Sequence, residues 1–65
     1  MWIKTAEGAL VNCDRMEYLC YVKSLDVTHA YVDGSRVTIS DGDVTERVIS
    51  GLLTGVKVLE VGKHG

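Results

Sequence analysis

The 65-residue chain is short of basic charge: Lys and Arg total 7 against 9 Asp and Glu, for a net charge of −2. That balance excludes a generic nucleic-acid binder, which needs an excess of cations to neutralise phosphates. No apolar run approaches the roughly 18 residues of a membrane span. The opening Met1-Trp2-Ile3-Lys4-Thr5 meets charge at once, and it reads as neither a secretory signal nor a lipidation motif. A cytoplasmic location follows as the expectation, with reduced Cys13 and Cys20. There is no linker and no low-complexity tract. Proline and phenylalanine are absent, and tryptophan occurs once.

Catalytic and metal signatures are missing as well. Cys13 and Cys20 are separated by six residues, not the two to four of structural zinc sites, so Cys13, Cys20, His29 and His64 do not make a zinc motif. Asp41-Gly42-Asp43 starts like a calcium loop, but the glycine and glutamate that must follow are not there. A turn followed by a helix cap explains those acids. Cys13, His29 and Asp14 compose no recognised nucleophile–base arrangement. No glycine-rich phosphate loop precedes a helix, and Gly51–Gly55 is a close-packing pattern at a helix end. The expectation is a protein that is not an enzyme and has no cofactor.

What is present is β-branched. Val, Ile and Thr occupy 18 positions, and such residues favour strands because they are stiff at χ1 and fit a pleated surface. Strands are predicted at 2–5, 9–11, 16–24, 27–32 and 35–40. Asn12-Cys13-Asp14-Arg15 forms a corner, and turns fall at Glu7-Gly8, Leu25-Asp26 and Asp33-Gly34. In the third strand Met16, Tyr18, Cys20 and Val22 share an apolar face, while Leu19 and Tyr21 lie on the opposite one. In the fifth, Val37 and Ile39 oppose Arg36, Thr38 and Ser40. A helix is predicted over about 43–54, capped by Asp43 with Glu46 in a capping-box position. Its apolar half is Val44, Val48, Ile49, Leu52 and Leu53; Gly51 falls in the polar half, and Gly55 stops the helix. A short strand over about 56–61 follows.

These elements predict one α+β domain over 1–61 with a frayed tail at 62–65. A single antiparallel sheet of about five strands carries the helix on one face. Its other face would show Leu19, Tyr21 and Trp2, and the terminal strand would lack a partner within the chain. So small a core barely offsets the entropy of ordering the chain, and an exposed apolar face invites association. A homo-oligomer is therefore expected, with Leu19, Tyr21, Val56 and Val58 at its interface. The side chains suited to recognition are Trp2, Arg15, Tyr21, Arg36, Thr38 and Arg47. Aromatic rings stack on bases, and guanidinium groups fork onto phosphates. Between subunits they would line a concave site that one copy lacks room to build.

The run Met1-Trp2-Ile3-Lys4-Thr5-Ala6-Glu7-Gly8-Ala9-Leu10-Val11-Asn12-Cys13-Asp14 resembles a group of small phage and Gram-positive bacterial proteins. These open Met-x-Ile/Val-x-Thr-x-Asp/Glu-Gly-x-Leu-Val-Asn-x-Asp and continue with a strand, a glycine-containing hairpin and a helix. The likeness extends through Tyr18 and beyond it only as a pattern; the short helix and the added terminal strand depart from it. The resemblance implies a sheet-plus-helix fold and a phage or mobile-element origin, and it carries no catalytic residues. The function expected on these grounds is a counter-defence factor that sequesters a small anionic ligand, such as a cyclic nucleotide immune signal, in the host cytoplasm. Two alternatives are a protein–protein inhibitor or adaptor that blocks a host protein through the sheet face or edge, and a phage structural or assembly component. No nucleic-acid polymer or membrane partner is expected.

Overall fold

A computed structural model describes residues 1–61; the expected frayed tail lies outside the described residues. In chain order the elements are β1 (Trp2–Lys4), β2 (Leu10–Asn12), a 3-10 turn (Cys13–Arg15), β3 (Met16–Val22), β4 (Val27–Val32), β5 (Ser35–Asp41), α1 (Thr45–Thr54) and β6 (Val58–Glu60). The fold is α+β, but the strands form two three-stranded sheets, ordered β2-β1-β6 and β3-β4-β5, in place of a single sheet. The break falls at the corner before β3. There Asn12 Oδ1 accepts from Asp14 N, and Cys13 N donates to Met1 O, so the chain leaves the first hairpin in a tight turn instead of continuing its ladder.

The terminal strand also finds its partner inside the chain. β6 runs parallel to β1, with Trp2 opposite Val58 and Lys4 opposite Glu60. Trp2 N donates to Lys57 O at 2.8 Å, and Val61 N to Lys4 O at 3.3 Å. Val56, expected in this strand, lies before it. A parallel neighbour requires a long crossover, and the whole β2-to-α1 segment supplies one.

The larger sheet is an antiparallel meander. Asp33 and Gly34, both at positive φ (53° and 81°), make the two-residue turn between β4 and β5, whose twist matches that of the strands it joins. Register shifts occur between Met16 and Tyr18 and between Thr28 and His29. The second leaves Ile39 and Ser40 both buried, so Ser40 does not share the face of Arg36 and Thr38 as simple alternation suggested.

The core gathers Ile3, Val11 and Cys13 from the small-sheet segment, Ala30 and Ile39 from the meander, Val44 and Val48 from the helix region, and Val61. Ala6 N donates to Ile39 O and links the first hairpin to β5. Buried Thr28 donates to Gly42 O at 2.7 Å and accepts from Val44 N at 3.0 Å, so its hydroxyl is satisfied on both sides.

The helix presents Val44, Val48 and Gly51 to the core, at i, i+4 and i+7. Ile49, Leu52 and Leu53, assigned to its buried half from the wheel, are 49%, 45% and 82% exposed. The reason is Gly51. A Cβ there would stand 2.8 Å from Met1 Sδ and 3.4 Å from Leu59 Cδ2, so the helix seats its glycine against the N-terminus and β6. Asp43 Oδ1 accepts from Thr45 N and Oγ1. The N-cap is Val44, not Asp43 as expected: Val44 O accepts the first helical bond from Val48 N at 3.1 Å, no side chain caps the helix, and among the described residues Glu46 closes no capping box.

Candidate functional site: the open face of the meander

Residue pairing decides which side of the meander meets the core. In β4, Thr28 and Ala30 are fully buried against the interior. Ala30 stands between Leu19 and Val37, and both pack on the core. Leu19 therefore faces inward, which corrects its assignment to an exposed interface. The outward face consists of the alternate residues, in rows across the strands. One row is Tyr18, Tyr31 and Arg36; the next is Cys20, His29 and Thr38; Val22 and Val27 follow.

These side chains make a trough of about 600 Å³, lined by Glu17, Tyr18, Cys20, Val22, Leu25, His29, Tyr31 and Arg36. That volume lies within the usual range of about 300–1,000 Å³ for ligand pockets. Tyr18 and Tyr31 meet edge to face, with ring centroids 5.6 Å apart and an interplanar angle of 86°, the arrangement their ring quadrupoles favour. Leu25 and Tyr18 are 63% and 58% exposed, yet His29 at the centre is only 7% exposed. The trough is thus polar and aromatic at one end and aliphatic at the other.

The structure sorts the three arginines proposed for recognition. Arg15 Nε donates to both carboxylate oxygens of Asp33, at 2.9 and 2.8 Å, fastening the corner to the β4–β5 turn. Those hydrogen bonds, more than the charge of Asp33, hold the guanidinium protonated beyond its ordinary range. Arg47 donates to Glu60 O at 2.8 Å and Val61 O at 3.5 Å, clamping α1 to the end of β6. Only Arg36 is without an ion-pair or hydrogen-bond partner among the described residues.

The other candidates divide similarly. Tyr21 lies outside the trough; its hydroxyl donates to Asp26 Oδ1 at 2.6 Å, a bond that raises the phenol's pKa. Trp2 shares the outer side of the small sheet with Asn12 and Val58 and does not line the trough. Thr38 is exposed beside His29. Val56 and Val58 are exposed, at 37% and 53%. Of the six proposed ligand contacts, Arg36 and Thr38 share the open face. Tyr18 and Tyr31, aromatics outside that set of six, lie on the same face, as does His29. The two-residue turn at Asp33-Gly34 would have revealed Tyr31, because it places that residue opposite Arg36.

Cys13 is buried in the core, on a different side of the chain from Cys20, and desolvation raises its thiol pKa. Among the described residues no group of three or more His, Cys, Asp and Glu side chains could hold a metal ion, and no helix is long and apolar enough to cross a membrane. The chain matches no protein family, no curated protein and no solved structure.

Proposed function

We propose that the protein is a non-enzymatic binding module that acts by occupancy, with the open face of β3–β4–β5 as its recognition surface. Its ligand is a small anion that carries a planar base, and a cyclic nucleotide is the type that fits best. Arg36 would engage phosphate while the ring of Tyr31 or Tyr18 lies against a base. The observation that carries this reading is the register pair of Tyr31 and Arg36: a stacking surface beside the one uncommitted guanidinium of the described residues. Charge-assisted contact to phosphate and stacking on aromatic rings are the two contributions that bind nucleotides without a glycine-rich loop.

The trough covers one side of such a ligand. Enclosure comes from a second copy, which also covers the apolar surface of Tyr18, Val22 and Leu25. With the phage origin expected from the first 18 residues, the role we assign is counter-defence: removal of a nucleotide immune signal in the host cytoplasm. Calorimetry against a panel of cyclic di- and trinucleotides tests this. Heat is expected with at least one member and is lost in Arg36→Ala; a folded protein that gives no heat with any of them overturns the reading.

A second reading, a blocker of a host protein, has its own observation in the exposed strip Ile49, Leu52 and Leu53 on α1. An apolar helix face of this kind fits a groove on a partner. Leu53→Asp would abolish that activity and leave nucleotide binding intact.

A further inference from the structure

Cys20 and His29 face each other across β3 and β4 as Cα partners on the open face. Directly opposed cross-strand residues hold their Cβ atoms about 4.5–5.5 Å apart, close enough for a thiolate and an imidazole to bind one metal ion. His29 is 7% exposed, lines the trough, and makes no side-chain hydrogen bond among the described residues. No described side-chain nitrogen or oxygen is both fully buried and unpartnered, so the imidazole nitrogens open onto the trough. A nearly buried imidazole without a partner, beside a half-buried thiol, is the polar centre of an otherwise largely apolar floor.

We infer that Cys20 and His29 are half of a zinc site, completed by the same two residues of a second copy packed face to face on this sheet. One chain offers two ligands, short of the four of a structural zinc site; a two-fold axis through the trough doubles the set to Cys2His2, a tetrahedral S2N2 set that selects zinc. The spacing suits this. Packed sheets lie about 10 Å apart, so the mid-plane is about 5 Å above each. Short thiolate and imidazole side chains with bonds of about 2.3 and 2.0 Å reach that plane. The charges suit it too. The lining carries one charge of each sign, Arg36 and a Glu17 whose Oε1 accepts from Gly34 N at 2.9 Å, so two copies of this face meet without a net charge of one sign. On binding, each Cys20 thiol releases its proton to solvent and the imidazole binds in its neutral form. Zinc then draws together two chains that each carry a net charge of −2.

This inference does not rest on the nucleotide reading, and its test uses the metal alone. The full-length protein, kept reduced and stripped of metal, is titrated with Zn²⁺ in competition with a chromophoric chelator and followed by size exclusion with light scattering. The expected result is half a zinc per chain, a dimer that forms with the metal, and thiolate-to-metal absorption when Co²⁺ replaces Zn²⁺. Cys20→Ser, a near-isosteric change at a half-buried position, should weaken binding more than tenfold, as should His29→Ala. No binding, one zinc per monomer, or binding that survives Cys20→Ser would overturn it, and the wild-type stoichiometry alone decides the matter if the histidine variant does not fold.

Discussion

Arg36 stands directly across from Tyr31 in the β4–β5 register, and Tyr31 in turn meets Tyr18 edge to face at 5.6 Å. The chain's other two arginines are held in structural bonds to Asp33 and to the end of β6. Arg36→Ala should therefore remove ligand binding with little effect on stability, because this exposed side chain supports nothing else. Arg15→Ala and Arg47→Ala should do the reverse, lowering the thermal midpoint and sparing the trough. Parallel thermal melts and calorimetry on the three variants check this.

Ile39 is completely buried where the meander meets the first hairpin. Ile39→Ala should cost about 2–5 kcal/mol, whereas Ile39→Val should cost about 0.5–1.5 kcal/mol. A domain this small has about 3–5 kcal/mol to lose. Urea titration should accordingly find the alanine variant largely unfolded near room temperature and the valine variant folded.

The helix gives a paired prediction. Val48→Asp puts a charge into a fully buried site and should prevent folding, while Leu53→Asp, at an 82% exposed position, should leave the melting curve nearly unchanged. At Gly51 the first atom met is the flexible end of Met1. Gly51→Ala should thus be tolerated, with gained helix propensity offsetting the displacement, and Gly51→Leu should destabilise by forcing the helix off β6.

Stability should fall at both ends of the pH range. Hydrogen bonds from Thr45 hold the Asp43 carboxyl below its ordinary pKa. A depressed folded pKa gives stability that is present above the unfolded value and is lost as the pH drops through the folded one. At the other end, burial raises the Cys13 thiol above its usual 9.0, and the bond to Asp26 raises the Tyr21 phenol above 10.0. Their contributions are full below those values and disappear as pH rises past them. Thermal midpoints measured across pH should show both losses; Thr45→Ala should reduce the acid-side loss, and Tyr21→Phe the alkaline one.

Much of the fold was legible where local rules governed. The meander strands, the Asp33-Gly34 turn and the helix followed from alternation, turn chemistry and the helical period. The parallel pairing of β1 with β6 was not legible, because it joins residues at the two ends of the chain through backbone bonds that no side-chain pattern encodes. The facing of β3 was ambiguous for a definite reason. Tyr18, Cys20 and Val22 are as apolar as Leu19 and Tyr21, so hydrophobicity does not choose between the faces. Ala30 breaks the tie: its small side chain lets the core close over β4, turning His29 and Tyr31 outward. The neighbouring pair of Cys20 and His29 emerges only once the hairpin register is known, since eight residues separate the two in sequence.

The most direct test of the open face as recognition surface is amide and side-chain NMR shift mapping of the labelled protein against cyclic nucleotides. The perturbed resonances should cluster on Tyr18, Cys20, His29, Tyr31, Arg36 and Thr38. Perturbations confined to Trp2 and Val58, or to the groove beside Arg47, or absent with every nucleotide, would contradict it.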